Sequence, residues 1–217
     1  MFSRDWDQLK ELITEDRNCI PQIIQNMFFY GFDIAIFNNI ITEFNYDINV
    51  NRHSLLIYCL GGCNHQVLQH LIDLGIDFQS PIGDYVDEEL NPLTYICDRE
   101  HSYDAHYDEL SKCIEILLKN GIDPNCDGGD AFIFIMEYGL IDLVKLFIDY
   151  GVDVTIQENR ALYQAFQQKK IPIIKLLIDH GANINDINSQ LFAKKSPYID
   201  YLVDLGLDPI NVAKLLH

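Results

Sequence analysis

The sequence predicts an all-α fold, a solenoid of stacked helix-turn-helix hairpins, and three observations predict it. A phrase recurs: Leu71-Ile-Asp-Leu-Gly75-Ile-Asp77, Leu117-Leu-Lys-Asn-Gly121-Ile-Asp123, Phe147-Ile-Asp-Tyr-Gly151-Val-Asp153, Leu177-Ile-Asp-His-Gly181-Ala-Asn183 and Leu202-Val-Asp-Leu-Gly206-Leu-Asp208. The glycines at 75, 121, 151, 181 and 206 stand 46, 30, 30 and 25 residues apart. Before each glycine lie two stretches with apolar residues at helical spacing, divided by a short polar turn. A unit of this length cannot cover its own hydrophobic face and has to stack on copies of itself.

The elements follow in order along one predicted domain, residues 1–217. Residues 1–20 form a capping helix, with Trp6, Leu9, Leu12 and Ile13 on its apolar side. Repeats then occupy 21–50, 51–80, 81–126, 127–156, 157–186 and 187–211, and a last helix over 209–217 closes the other end. In the first repeat Asn45 takes the place of the cap glycine, because asparagine is the next best residue for a left-handed helix end. The unit ending at Gly181 shows the parts most clearly. Asn159 to Phe166 is a first helix, Gln167 to Lys170 a polar turn, and Ile171 to Ile178 a more apolar second helix. Its Pro172 falls in the first turn, where the missing amide costs nothing. The preceding unit aligns without gaps and carries Gly139 in its turn. Asp127-Gly-Gly-Asp130 and Asn185-Asp-Ile-Asn188 read as tight turns between units.

One unit is longer than the rest. The 46-residue step from Gly75 to Gly121 carries an acidic connector over 78–90, with Tyr85, Glu88 and Glu89, and an intra-hairpin insertion over 98–109. The second insertion holds His101, Tyr103, His106 and Tyr107. Insertions in stacked repeats become surface loops and often carry specificity, so these seven residues are candidate contacts.

The arrangement resembles the ankyrin repeat, over about residues 21 to 210. Asn91-Pro92-Leu93-Thr94 is similar to the opening Thr-Pro-Leu-His of that family, Ala165 and Cys59 to its small-residue slot, Gly139 to its turn glycine, and Gly181-Ala182-Asn183 to its close. From Asp153 to Leu162 the chain takes 9 steps where the family pattern takes about 12. The resemblance therefore implies shortened β-hairpin fingers, stubby or reduced to turns. The recurring Leu-Ile-Asp-x-Gly phrase, the Ile, Asn and Tyr bias and the 30-residue period look most like the ankyrin proteins of giant DNA viruses of amoebae.

The resemblance also implies a concave binding face built from first helices. The position two after each opening apolar residue is Tyr58, Tyr95, Phe134 and Gln164 in successive units. The positions five and six after it give Gly61-Gly62, Asp98-Arg99, Glu137-Tyr138 and Gln167-Gln168. Tyr58, Tyr95, Asp98, Arg99, Phe134, Glu137, Tyr138, Gln164 and Gln167 are thus the candidate partner-binding residues. Aromatic rings bordered by acids and amides have the composition of an interface core with a polar rim. The alternative is that the rings pack against the next hairpin.

Composition narrows the function. With 15 Lys plus Arg against 33 Asp plus Glu, the net charge is −18, which repels phosphate backbones; direct nucleic-acid binding is not expected. Such a surface attracts a basic protein partner. No apolar run approaches the ~20 residues that cross a bilayer, and the start lacks the apolar stretch of a secretory signal. The expectation is a cytoplasmic, monomeric protein without membrane contact, in the host cytoplasm if viral. Cys19, Cys59, Cys63, Cys97, Cys113 and Cys126 form no C-x-x-C pair and read as thiols, most of them core fillers. Cys97, His101, His106 and Asp108 are ligand types on one segment, where zinc usually takes pairs from two; no metal or cofactor is expected. No nucleophile motif or phosphate loop is present, so the reading is a non-enzymatic scaffold or inhibitor. The alternative is an acidic decoy that mimics nucleic acid and blocks a basic nucleic-acid enzyme such as a nuclease.

Overall fold

The computed structural model describes residues 6–50, 52–82, 90–98 and 103–183. Its Cα positions divide into two compact units, 1–120 and 121–217, and each is a stack of helical hairpins in its own right. Among the described residues there are eleven α-helices and no strand; one isolated antiparallel bridge pairs Ile82 with Leu90.

In the first unit, α1 (Trp6–Glu15) precedes a hairpin of α2 (Ile20–Tyr30) and α3 (Ile34–Phe44), a second of α4 (Arg52–Gly61) and α5 (His65–Asp73), and a third of α6 (Pro92–Cys97) and α7 (Tyr103–Lys119). First helices lie side by side, α2 on α4 and α4 on α6, and α5 packs on α7. Leu9 and Ile13 of α1 are buried as its amphipathic spacing requires, whereas Leu12 is 43% exposed. Polar side chains start the helices: Asp33 Oδ1 accepts the amides of Ala35 and Ile36 at 2.9 and 3.1 Å, and Asn91 Oδ1 that of Leu93 at 3.0 Å. Pro21 and Pro92 sit in first turns. Asn45 ends α3 at φ 49°, the left-handed value expected of it.

The insertion in the third hairpin is only partly loop. Tyr103, His106 and Tyr107, expected in a loop, belong to the 17-residue helix α7. The reason is periodic: Leu110, Cys113, Ile114, Leu117 and Leu118 are all buried, and that apolar spacing lets the helix extend backwards. The connector's base is closed by the Ile82 to Leu90 bridge, with bonds of 2.7 and 2.9 Å.

The second unit is more regular. It contains α8 (Asp130–Tyr138), α9 (Ile141–Asp149), α10 (Ile156–Gln167) and α11 (Ile171–Asp179), with α8 on α10 and α9 on α11. Leu143, Val144 and Phe147 of α9 recur thirty positions on as Ile173, Ile174 and Leu177, and all six are buried. Each such side chain contributes about 1.5–3 kcal/mol relative to an exposed one. Phe132 and Phe147 meet at 5.8 Å between centroids.

The shortened fingers are left-handed turns. Asp127, Gly128 and Gly129 have φ of 49, 68 and 84°, and thirty residues later Gln157, Glu158 and Asn159 repeat the conformation at 51, 58 and 62°. The same backbone is thus built once mostly from glycine and once without any. Asn185–Asn188, the repeat at 187–211 and the helix at 209–217 lie outside the described residues, as does Gly206.

Candidate partner-binding site

Among the described residues, the nominated partner-binding side chains lie on first helices or, for Asp98, at the end of one, and their placement differs by unit. In the first unit Tyr58 is half-buried: its hydroxyl accepts from Gln25 Nε2, and its ring lies 6.0 Å from Phe28 and 5.7 Å from Phe29. It lines a cleft of about 110 Å³ with Pro21, Gln25, Tyr46 and Leu55. Tyr58 therefore packs on the neighbouring first helix to a large extent, while Phe29 stays 64% exposed beside it. Tyr95 is half-buried on α6, and Asp98 is exposed at that helix's C-cap. Gly61 closes α4, with Gly62 exposed beyond it.

In the second unit Phe134 and Tyr138 are half-buried on α8 and Glu137 is exposed. Glu137 accepts from Gln164 Nε2 at 2.9 Å and lies 3.8 Å from Arg160 Nη2. Gln167 donates to the Tyr163 hydroxyl at 3.1 Å, and Gln168 Nε2 donates to the carbonyls of Met136 and Glu137 at 3.1 and 2.8 Å. The sequence reading did not nominate Arg160 and Tyr163, which complete this polar patch. Their signal was available in the period: they lie on α10, the same helix as Gln164 and Gln167. The Oε1 of Gln164 is buried with no hydrogen-bond partner among the described residues.

Arg99, Tyr85, Glu88, Glu89 and His101 lie outside the described residues. Tyr107 is half-buried on α7. His65, which the sequence left unassigned, bonds Glu109 on α7, and Lys112 joins the same carboxylate at 2.9 Å. Lys112 first and His65 second hold the Glu109 carboxyl below its usual range.

The thiols sort by depth. Cys59, Cys97 and Cys113 are buried, and burial pushes the Cys59 and Cys113 thiols far up, away from the reactive thiolate. Cys63 does not share a helix with Cys59: α4 ends at Gly61, and Cys63 stands in the turn at φ 48°. Among the described residues no group of three or more His, Cys, Asp or Glu could hold a metal ion, and no helix is long and apolar enough to cross a membrane.

Residues 103–188 match the family model for ankyrin repeats, in three copies. The matched stretch runs from the start of α7 through α11. Ankyrin repeats generally mediate protein–protein interactions and are typically non-catalytic.

Proposed function

We propose that the chain is a non-catalytic protein-interaction module, a scaffold or inhibitor, that holds a protein partner on the faces of its first helices. The observation that carries this reading is the ankyrin match over 103–188 together with the patch on that stretch: Glu137, Arg160, Gln164, Gln167 and Tyr163 gather charge, amide and ring on one surface. With 33 acidic against 15 basic residues, a basic partner gains in rate of encounter and in choice of orientation. Tyr95, Asp98, Phe134 and Tyr138 extend the same reading to their helices, and Tyr58 contributes less because its ring is already engaged. A cytoplasmic monomer belongs to this reading, as does a source among giant DNA viruses of amoebae, the latter on the strength of the repeat phrase and its period.

Affinity capture from source cells tests it, comparing wild type with a Glu137→Lys/Gln167→Arg variant. Loss of the same partner from the variant supports the proposal; equal recovery opposes it. The acidic-decoy alternative rests on the net charge of −18, and a salt titration separates the two. Capture that collapses between low and moderate salt favours the decoy, and capture that persists favours the patch.

A further inference from the structure

The first unit carries a second, unassigned surface. Within that unit α4 lies between α2 and α6, so a first helix in the stack has a neighbour on either side. On α2, the side turned to α4 is the stripe Pro21, Ile24, Gln25 and Phe28. The opposite stripe is Ile23, Asn26, Met27 and Tyr30, spaced three, four and seven as on one helix face. With Leu9 of α1, Ile36 of α3 and its N-cap Asp33, that stripe bounds a cavity of about 400 Å³.

The cavity follows from how α1 sits. Its Trp6 meets Phe44 edge-on at 6.3 Å and donates to Glu43 at 3.2 Å, while Lys10 pairs with the same carboxylate. All three contacts are to α3, a second helix. In the stacking pattern α1 therefore takes a second helix's place, and among the described residues no first helix lies beside α2 on that side, which leaves a groove. Leu12, on the flank of α1 opposite Lys10, is 43% exposed, and Tyr30 is 66% exposed. Asp33 stands at the rim with its Oδ1 taken by the α3 amides, and its carboxylate charge faces a groove otherwise lined by apolar and amide groups.

We infer that this groove binds an amphipathic helix of a partner protein, whose apolar stripe fills the vacant first-helix position and whose lysine or arginine meets Asp33. The shape argument is the helical spacing of the lining; the charge argument is the rim carboxylate on a chain of net charge −18. The groove lies on the face of α2 away from Tyr58, and its lining shares no residue with the Glu137 patch.

The probes are two synthetic amphipathic helical peptides with leucine at i, i+3, i+4 and i+7, one otherwise rich in lysine and the other in glutamate, read by fluorescence anisotropy on the full chain. The lysine peptide is expected to bind at least about tenfold more tightly than the glutamate peptide. Asn26→Arg, at an exposed position, is expected to weaken the lysine peptide by about tenfold or more, while Gln66→Arg, the same charge change on exposed α5 surface, leaves it unchanged. Asp33→Asn, which keeps the helix cap, narrows the lysine preference and gives an independent readout. Equal weakening by both arginine variants, no binding of the lysine peptide, or a preference untouched by Asp33→Asn overturns the inference. So does a wild-type dimer in sedimentation that Asn26→Arg abolishes, which assigns the groove to a second copy.

Discussion

Asn125 Oδ1 accepts the backbone amide of Asp153 at 2.7 Å, and Asn49 Oδ1 accepts that of Asp77 at 2.8 Å, 28 residues on in both cases. The Nδ2 groups reach Gly151 O and Gly75 O at 3.4 and 3.5 Å. One asparagine thus pins the cap of the following repeat twice, and the device occurs once in each unit. Asn125→Ala should lower stability by about 1 kcal/mol, the worth of a typical hydrogen bond net of solvation. Urea unfolding measures it; a midpoint equal to wild type would show that the link is ornamental.

The left-handed turn at 127–129 separates strain from crowding. A Cβ on Gly128 meets nothing within 4 Å, whereas one on Gly129 comes 2.5 Å from Ile156 Cδ1 and 2.9 Å from its Cγ2. Gly128→Ala should cost about 1 kcal/mol for the positive φ alone. Gly129→Ala should cost about 2–4 kcal/mol because overpacking adds to it. Thermal unfolding of the pair checks the order, and equal losses would mean that Ile156 steps aside freely.

Acid should weaken the repeat turns. The Ser80 side-chain hydrogen bond, followed by backbone amides and Arg52, holds the Asp77 carboxyl below its usual range; the Thr155 hydroxyl, at 2.7 Å, does so first for Asp153. A carboxyl depressed in the folded state contributes stability that is present above its unfolded value of about 3.9 and is lost as pH falls through the lower folded value. Thr155→Val should flatten part of the fall in unfolding midpoint below about pH 4. An unchanged acid limb would remove Asp153 from the explanation.

Thiol chemistry should follow depth. At neutral pH a maleimide should leave Cys59, Cys97 and Cys113 unlabelled in the native chain and label them in denaturant, since all three are buried. Peptide mapping by mass spectrometry checks this. Rapid native labelling of Cys113 would contradict the packing of α5 on α7.

The repeat period was legible because glycine and asparagine at helix ends have few substitutes: Asn45 was readable as a cap, and it is one. The turn at 157–159 was not, because Gln157, Glu158 and Asn159 carry no glycine and take left-handed conformations only under the constraint of neighbouring repeats. The α7 extension was missed since Tyr103 to Glu109 is mostly polar, and propensity is silent where apolar spacing begins only at Leu110. The role of Asn125 had a local signal, an asparagine four residues after the cap, at 49, 125 and 185. Its long-range bond has none. The proposed patch was half legible: spacing placed Glu137 and Gln164 on first helices, but the packing of Tyr58 against Phe28 and Phe29 depends on contacts across about 30 residues of sequence.

The most direct measurement is the affinity of the captured partner for the wild-type chain and for the Glu137→Lys/Gln167→Arg variant, taken by calorimetry at moderate salt with circular dichroism confirming equal helicity. The account predicts a loss of about tenfold or more with the fold unchanged. Equal affinities for the two folded proteins would contradict it.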